Sequence, residues 1–187
     1  MNNKKSRTLP ALLLMSTTLA VMGPAALGPA CAQAAGAAND VNADTPQATT
    51  ALYRDWQLHC VVGKDGGKTC EAAGAVLAGD GKGVAARVVV GRPAPAEPIQ
   101  VVIQLAPGVW LPDGVSLSVP GAKTPLKIEF KQCVQVCFAQ TNLDDATVSA
   151  MKTSDKPATL SFVDAQRQPV ALPLSLAGFK NAMDAGV

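Results

Sequence analysis

LKIEFKQCVQVCFAQ, residues 126–140, carries the clearest strand pattern in this 187-residue chain. Leu126, Ile128 and Phe130 alternate with charged residues and therefore share one face of an extended chain. Strict alternation of this kind is typical of a β-strand with one buried face. The alternation breaks at Gln132, where a polar residue takes the place of an apolar one. The stretch predicts a strand of antiparallel sheet that bends just before two cysteines.

Cys133 and Cys137 stand four positions apart, immediately after this break. In a fully extended chain their α-carbons would lie about 13 Å apart, at roughly 3.3 Å per residue. A disulfide needs about 4.4 to 6.8 Å. A bond within the pair therefore requires a turn or bulge at residues 134–136, and the alternative is that each cysteine pairs across the sheet. A close pair is also compatible with a redox centre or with half of a metal site.

A second pair of cysteines flanks a predicted hairpin. Trp56, Leu58 and Cys60 alternate with polar residues, and a glycine-rich turn over residues 63–67 leads to Cys70. Cys60 and Cys70 could therefore face each other across the hairpin. Four cysteines allow three arrangements. The break at Gln132 is what a local bond demands, so we predict the pairs Cys60 with Cys70 and Cys133 with Cys137.

The rest of the chain predicts further short strands and little helix. Apolar residues alternate in segments near 84–90, 99–105, 115–119, 158–163 and 170–174, which proline and glycine separate. A short helix is expected near 142–152 with Asn142 as its N-cap, and a C-terminal helix near 175–185 with Ser175 as its N-cap. The predicted fold is mainly β: a compact antiparallel β-sandwich-like domain with these two helices.

The N-terminus has the pattern of a secretory signal. Basic residues precede an apolar run that ends in an A-x-A site at residues 32–34, which predicts a signal peptide over 1–34. Residues 35–51 are small and polar and are interpreted as a flexible linker, and the domain is expected to span 52–187. No integral membrane span is expected after cleavage. Lipidation at Cys31, which would make a lipoprotein, is the alternative.

Charge and compartment narrow the function classes. Cleavage removes three of the 16 lysines and arginines and none of the 14 acidic residues, which leaves a net charge of −1. Charges of both signs are scattered without a basic patch, so binding to nucleic acid is not expected. Four cysteines in an exported protein favour disulfides over thiolates.

The candidates for chemistry are few. His59, the only histidine, is predicted to lie on the face opposite Cys60 and cannot activate it as a nucleophile. The glycine-rich segment 79–83 precedes a strand and not a helix, so a hairpin loop is favoured over a phosphate site. Asp144 and Asp145 are explained by helix capping, and the four cysteines lack zinc-site spacing. We therefore predict no metal, no cofactor and no catalytic residue. The larger aromatic residues are expected in the core: Trp56, Trp110, Phe130 and Phe179.

Several motifs, in their order along the chain, resemble the invasion-associated locus B family of exported proteins. They are Asp55-Trp56-Gln57-Leu58-His59-Cys60, Cys70-Glu71, Leu111-Pro112-Asp113-Gly114-Val115, Cys133 with Cys137-Phe138-Ala139, and Leu172-Pro173-Leu174-Ser175-Leu176-Ala177-Gly178-Phe179. The resemblance covers about residues 52–186. It implies a compact β-sandwich-like domain in the periplasm or at the outer membrane, and it implies no known reaction.

Two hypotheses of function follow from these observations. The first is a non-catalytic exported envelope protein that acts through surface contacts with an unknown protein or envelope component, in envelope or host-cell interaction. The alternative is a periplasmic thiol-disulfide redox protein that uses Cys133 and Cys137. The spacing of these two cysteines lacks the C-x-x-C pattern that lowers a thiol pKa, so the first hypothesis is preferred.

Overall fold

The computed structural model of the protein describes residues 47–187. The predictions for the signal peptide (1–34), for Cys31 and for linker residues 35–46 lie outside the described residues. Within them, the chain forms two antiparallel sheets and two α-helices, which confirms the predicted fold class.

The larger sheet has seven strands in the order β1-β2-β3-β4-β5-β9-β8. Five of them follow one another along the chain as hairpins, and the last two are added from a later hairpin. Their bounds are β1 Ala48–Tyr53, β2 Trp56–Val62, β3 Lys68–Leu77, β4 Val84–Gly91, β5 Gln100–Leu105, β8 Phe130–Cys133 and β9 Cys137–Asn142.

The smaller sheet has four strands in the order β11-β10-β6-β7. Their bounds are β6 Val115–Ser118, β7 Leu126–Ile128, β10 Ala158–Val163 and β11 Pro169–Leu174. A 3₁₀ helix, Leu111–Asp113, precedes β6, and the two α-helices are α1 Asp145–Thr153 and α2 Phe179–Gly186.

One hydrophobic core joins the two sheets and α2. The large sheet contributes its inner face, where alternate residues of each strand are buried, and the small sheet contributes Leu117, Leu160 and Leu174. The rings of Phe179 and Trp56 pack in a T-shaped arrangement, with 4.7 Å between ring centroids, and both side chains are fully buried. Because this core covers the inner face, the opposite face of the large sheet is the one left to the solvent.

Strand β1 includes residues 48–51, which were expected to belong to the linker. The folded domain thus begins four residues before the expected start at Leu52. The segment is ordered by backbone pairing with β2 through the tight turn at Arg54 and Asp55, whereas its side chains stay largely exposed. Because most side chains of β1 are exposed, the strand has no alternation of buried and exposed residues from which it could have been predicted.

Both helices begin later than predicted. Asn142 is the last residue of β9, paired with Gln100, and the N-cap of α1 is Asp144. The Ser175 hydroxyl donates a hydrogen bond to Asp55 and accepts one from the Ala177 backbone, so it holds the chain ahead of α2 without capping it.

The helix α2 has Gly178 as its N-cap, with φ +90°. A side chain at this position would overlap the carbonyl oxygen of Tyr53, so glycine also permits the close approach of α2 to β1.

Candidate functional site

Cys60 and Cys70 form a disulfide between directly opposite residues of β2 and β3. Both side chains are buried on the inner face, and their α-carbons lie 4.0 Å apart. The bond ties the hairpin together beneath the C-terminal end of α2, where Gly186 lies close to the Cys70 sulfur. Its position is that of a structural cross-link.

Cys133 and Cys137 form a disulfide at the tip of the β8–β9 hairpin. The chain turns back over residues 134–136, which brings the two α-carbons to 3.9 Å. A register shift between Phe130 and Gln132 accompanies the broken alternation of the sequence. Cys137 is fully buried, whereas Val134 at the turn is 72% exposed. The hairpin therefore presents an apolar tip that is closed by a covalent bond.

His59 is too far from Cys133 and Cys137 to act as a base toward either of them. His59 lies on β2 and the Cys133–Cys137 bond lies on β8 and β9, so four or five strand spacings of about 4.8 Å separate them, roughly 20 Å or more. The hydroxyl of Thr50 lies 3.2 Å from His59 Nδ1. The histidine is thus a surface residue with a neutral partner.

The other sequence candidates have structural roles. In the loop over residues 79–83, the backbone of Ala78 donates to the Gly83 carbonyl and the Lys82 backbone donates to Asp80, as in a hairpin loop. Asp144 accepts a hydrogen bond of 2.6 Å from the Thr147 backbone, and its hydrogen bonds with Thr147 lower its pKa.

Of the four aromatic residues predicted in the core, Trp56 and Phe179 are fully buried. Phe130 is only half-buried, and the Arg167 guanidinium covers the half-exposed ring of Trp110 at 4.0 Å from its centroid. Phe130 nevertheless packs against the core as predicted, whereas Trp110 is half-buried and is not part of the core.

The outer face of the large sheet, defined as the face turned away from the small sheet, carries rows of side chains from several strands. Two residues on it are almost covered although they lie outside the core, Ala73 at 7% and Val89 at 8% exposure. A row of mostly polar residues crosses six strands in direct register: Thr50, His59, Glu71, Gly91, Gln100 and Asn142.

A groove of about 360 Å³ lies on this outer face around Gly91. Gly91 has no side chain between Glu71 and Gln100, and a Cβ there would lie 3.0 Å from the Cys70 carbonyl oxygen. The missing side chain leaves a gap in the polar row. Three valines contribute apolar surface to the groove and polar groups surround them, the lining residues being His59, Val61, Thr69, Cys70, Glu71, Val89, Gly91, Arg92, Pro93, Gln100 and Val102.

The polar groups at the groove have local partners. Arg87 and Glu71 lie 4.0 Å apart on neighbouring strands, and both remain nearly half exposed. Arg92 donates to the Glu97 carbonyl at 2.8 Å, and Gln140 donates to Gln100 at 2.6 Å. These contacts hold hydrogen-bond donors and acceptors at the rim of the groove, whereas the valines contribute only apolar surface. The arrangement suits the binding of a partly apolar group.

A second and wider groove, about 910 Å³, runs beside the helices. Two of its lysines, Lys152 and Lys180, are both bound to Asp184. Because the same carboxylate pairs with both lysines, these two cations of the groove already have a partner within the protein.

The sequence of residues 56–186 matches the model of the family described as Invasion associated locus B (IalB) protein. The match covers more than two thirds of the chain and both disulfides. The chain belongs to the IalB family.

A solved IalB structure has the same fold. The crystal structure of invasion associated protein B from Bartonella henselae is 21% identical in sequence, with a TM-score of 0.62 over 73% of this chain and 93% of that one. No curated protein matches this chain. Family membership confirms the resemblance found in the sequence, and the family's description names an association with invasion and no reaction.

Sequence reasoning missed the outer-face groove of this IalB protein. Its lining comes from β2, β3, β4, β5 and the segment after β4, so residues more than 40 positions apart meet only through the sheet order. The one local signal was Gly91, a glycine that ends a β-branched strand, where close approach or a gap is expected.

Two further findings concern the described residues of this IalB chain only. Across residues 47–187, no three His, Cys, Asp or Glu side chains are grouped so that they could hold a metal ion. In the same part of the chain, neither helix is long and apolar enough to cross a membrane.

Proposed function

We propose that this protein is a non-catalytic exported envelope protein that acts through contacts made by the outer face of its large sheet. Membership of the IalB family supports a role in the envelope. The observation that carries the proposal is the groove around Gly91, which is lined by residues of β2, β3, β4, β5 and the segment after β4 on the outer face of the large sheet.

The chemistry of the groove favours a contact site over a reaction site. Val61, Val89 and Val102 offer apolar surface, and the surrounding carboxylate, guanidinium and amide groups can orient a ligand by hydrogen bonds. Binding sites in proteins usually combine an apolar lining with a few placed polar groups in this way. The volume, near the lower end of ordinary ligand sites, suits one side chain or short segment of an envelope or host-cell component.

Export is part of the same proposal. The basic start, apolar run and A-x-A site of residues 1–34 support delivery to the periplasm or the outer membrane. Mass spectrometry of the processed protein tests this: a free N-terminus at Ala35 is expected, whereas a lipidated N-terminus at Cys31 would establish the lipoprotein alternative.

The first prediction concerns the outer face. Val102→Glu places a charge in the groove and should abolish retention of the binding component. Val84→Glu is the matched control, because Val84 is 63% exposed at the start of β4 and does not line the groove. Each protein is immobilised and exposed to envelope extract and host-cell lysate, and the retained components are compared by mass spectrometry.

The expected result is a component retained by the wild type and by Val84→Glu but lost with Val102→Glu. Equal retention by all three proteins would contradict the outer-face assignment. Turnover of thiol or hydrolase substrates by the purified protein at an enzymatic rate would contradict the non-catalytic role. A reduction potential of the Cys133–Cys137 bond well below about −300 mV, typical of structural bridges, would exclude the thiol-disulfide alternative.

A further inference from the structure

The edges of the two sheets are protected unequally. Unpaired strand edges invite pairing with another chain, and proteins usually block them with lysine, proline, irregular register or short strands. On β8 the edge carries Lys131 and a register shift, β7 has three residues including Lys127, and β11 contains Pro169 and Pro173. The fourth edge, β1, has the sequence ATTALY and none of these features.

The register of β1 against β2 shows which backbone groups of β1 point outward. The Val62 backbone donates to the Gln47 carbonyl at 2.9 Å, which makes Gln47 and Val62 a hydrogen-bonded pair of the ladder. Such pairs alternate along antiparallel strands. Residues 49, 51 and 53 therefore bond to β2, whereas the N–H and C=O groups of Ala48, Thr50 and Leu52 face away from it.

The side chains at this edge are exposed as well. All residues from Ala48 to Leu52 are exposed, Leu52 at 76%, so no described residue covers the strand. The strand also has no charged side chain, and two copies of it can therefore meet without repulsion between like charges.

We propose that the protein forms a two-fold symmetric dimer in which β1 pairs antiparallel with β1 of a second copy, with the axis at Thr50. This register places Thr50 opposite Thr50 and Ala48 opposite Leu52, so every outward donor meets an outward acceptor. Three pairs with two bonds each give about six hydrogen bonds across the axis. An identical strand satisfies this pattern by symmetry.

The dimer has a consequence for the outer face. When the two-fold axis is perpendicular to the sheet, equivalent side chains of the two copies lie on the same face. Thr50 and His59 of both copies therefore lie on the same side. The two seven-stranded sheets become one sheet, with both grooves on one face. A bound partner could then engage two sites at once, which raises its avidity without new contacts within either site.

Analytical ultracentrifugation of the exported protein, purified from the periplasm, tests the dimer. Thr50→Pro removes an outward N–H that β2 does not use, so each protomer should keep its fold, and edge strands tolerate proline in this orientation. The dimer loses two N–H donors at the axis, one from each copy. Each lost hydrogen bond weakens the affinity by up to about tenfold, so the dissociation constant should be about 100-fold higher. Thr50→Ala keeps the N–H and should remain dimeric.

Cross-linking tests the register independently, and it does not depend on the folding of the proline variant. Opposite α-carbons in a hydrogen-bonded pair lie about 5.5 Å apart, within disulfide range, so Thr50→Cys should form a covalent dimer under oxidation. Thr49→Cys is the control. In the proposed register Thr49 lies opposite Ala51 of the second copy. The α-carbons of the two Thr49 residues are therefore about 8 Å apart, which is outside that range.

Covalent dimers of Thr50→Cys that are absent from Thr49→Cys are the expected result. A wild type that sediments as a monomer up to about 100 μM would overturn the proposal. So would an extended peptide that copurifies with a monomer and is released by Thr50→Pro, because the edge would then serve a foreign strand.

Discussion

Asp184 joins the two helices through a single carboxylate. Lys152 of α1 donates to it at 2.7 Å, and Lys180 donates from one turn earlier on α2. These hydrogen bonds lower the pKa of Asp184 from 3.8 to about 2. Because the lowered pKa belongs to the folded state, the contribution to stability is complete above about pH 4. It is lost as the pH falls through about 2.

Asp184→Asn should therefore lower the melting temperature most above pH 4, and the difference from the wild type should vanish near pH 2. The effect is small because these groups are exposed to solvent. Thermal melts between pH 2 and pH 6 measure it, with Asp155→Asn as a control that makes the same charge change without a salt bridge in the structure. A difference from the wild type that stays constant across this range would contradict the role assigned to Asp184.

The burial of single residues was predicted correctly from the sequence where buried and exposed residues alternate along one strand. Trp56, Leu58 and Cys60 are buried as expected, because each lies on the inner face of a strand in the interior of the large sheet. Trp110 looked equally apolar but is only half-buried, with the Arg167 guanidinium over its ring. Local pattern does not distinguish the two cases, since the difference depends on which distant element covers the ring.

At the level of elements, strands were easier to predict than the points where helices begin. The strand β5 follows its alternation closely, with Val101, Ile103 and Leu105 buried. The helix α1 begins three residues after the predicted cap Asn142 because sheet pairing with Gln100 takes that residue first. Capping residues occur close together in this segment, so tertiary pairing selects which of them caps the helix.

The two disulfide loops should differ in their contribution to stability. The sequence separations are ten residues for Cys60–Cys70 and four for Cys133–Cys137. In the chain-entropy model the two closures are worth about 2.7 and about 1.9 kcal/mol. Replacing both cysteines of a pair by serine should therefore destabilise the protein more at Cys60 and Cys70, the more so because both of these side chains are buried.

Urea denaturation of the two double variants measures this difference. A non-reducing peptide map of the wild type serves as the companion experiment, and it should show one linked peptide pair for each bond. A peptide that joins Cys60 to Cys133 or Cys137 would contradict the proposed connectivity, and equal losses of stability would contradict the entropic ranking.

For the whole molecule, the sequence predicted an exported, mainly β domain and placed its start at Leu52. The family match begins later still, at residue 56, whereas the described fold begins with β1 at Ala48. The discrepancy has one physical cause: β1 is held by backbone hydrogen bonds and by the packing of Tyr53 against the core, and five of its six side chains carry no burial signal.

A chain that begins at Gln47 should therefore match the exported protein in melting temperature, whereas one that begins at Asp55 should melt lower. The shorter chain loses the backbone hydrogen bonds between β1 and β2 and the packing of Tyr53 against the core. It also leaves unpaired the backbone N–H and C=O groups of β2 that face β1. Calorimetry of the two truncated proteins and the exported protein makes the comparison. Equal melting temperatures would mean that β1 contributes nothing to stability and that the domain does begin after it, as the extent of the family match implies.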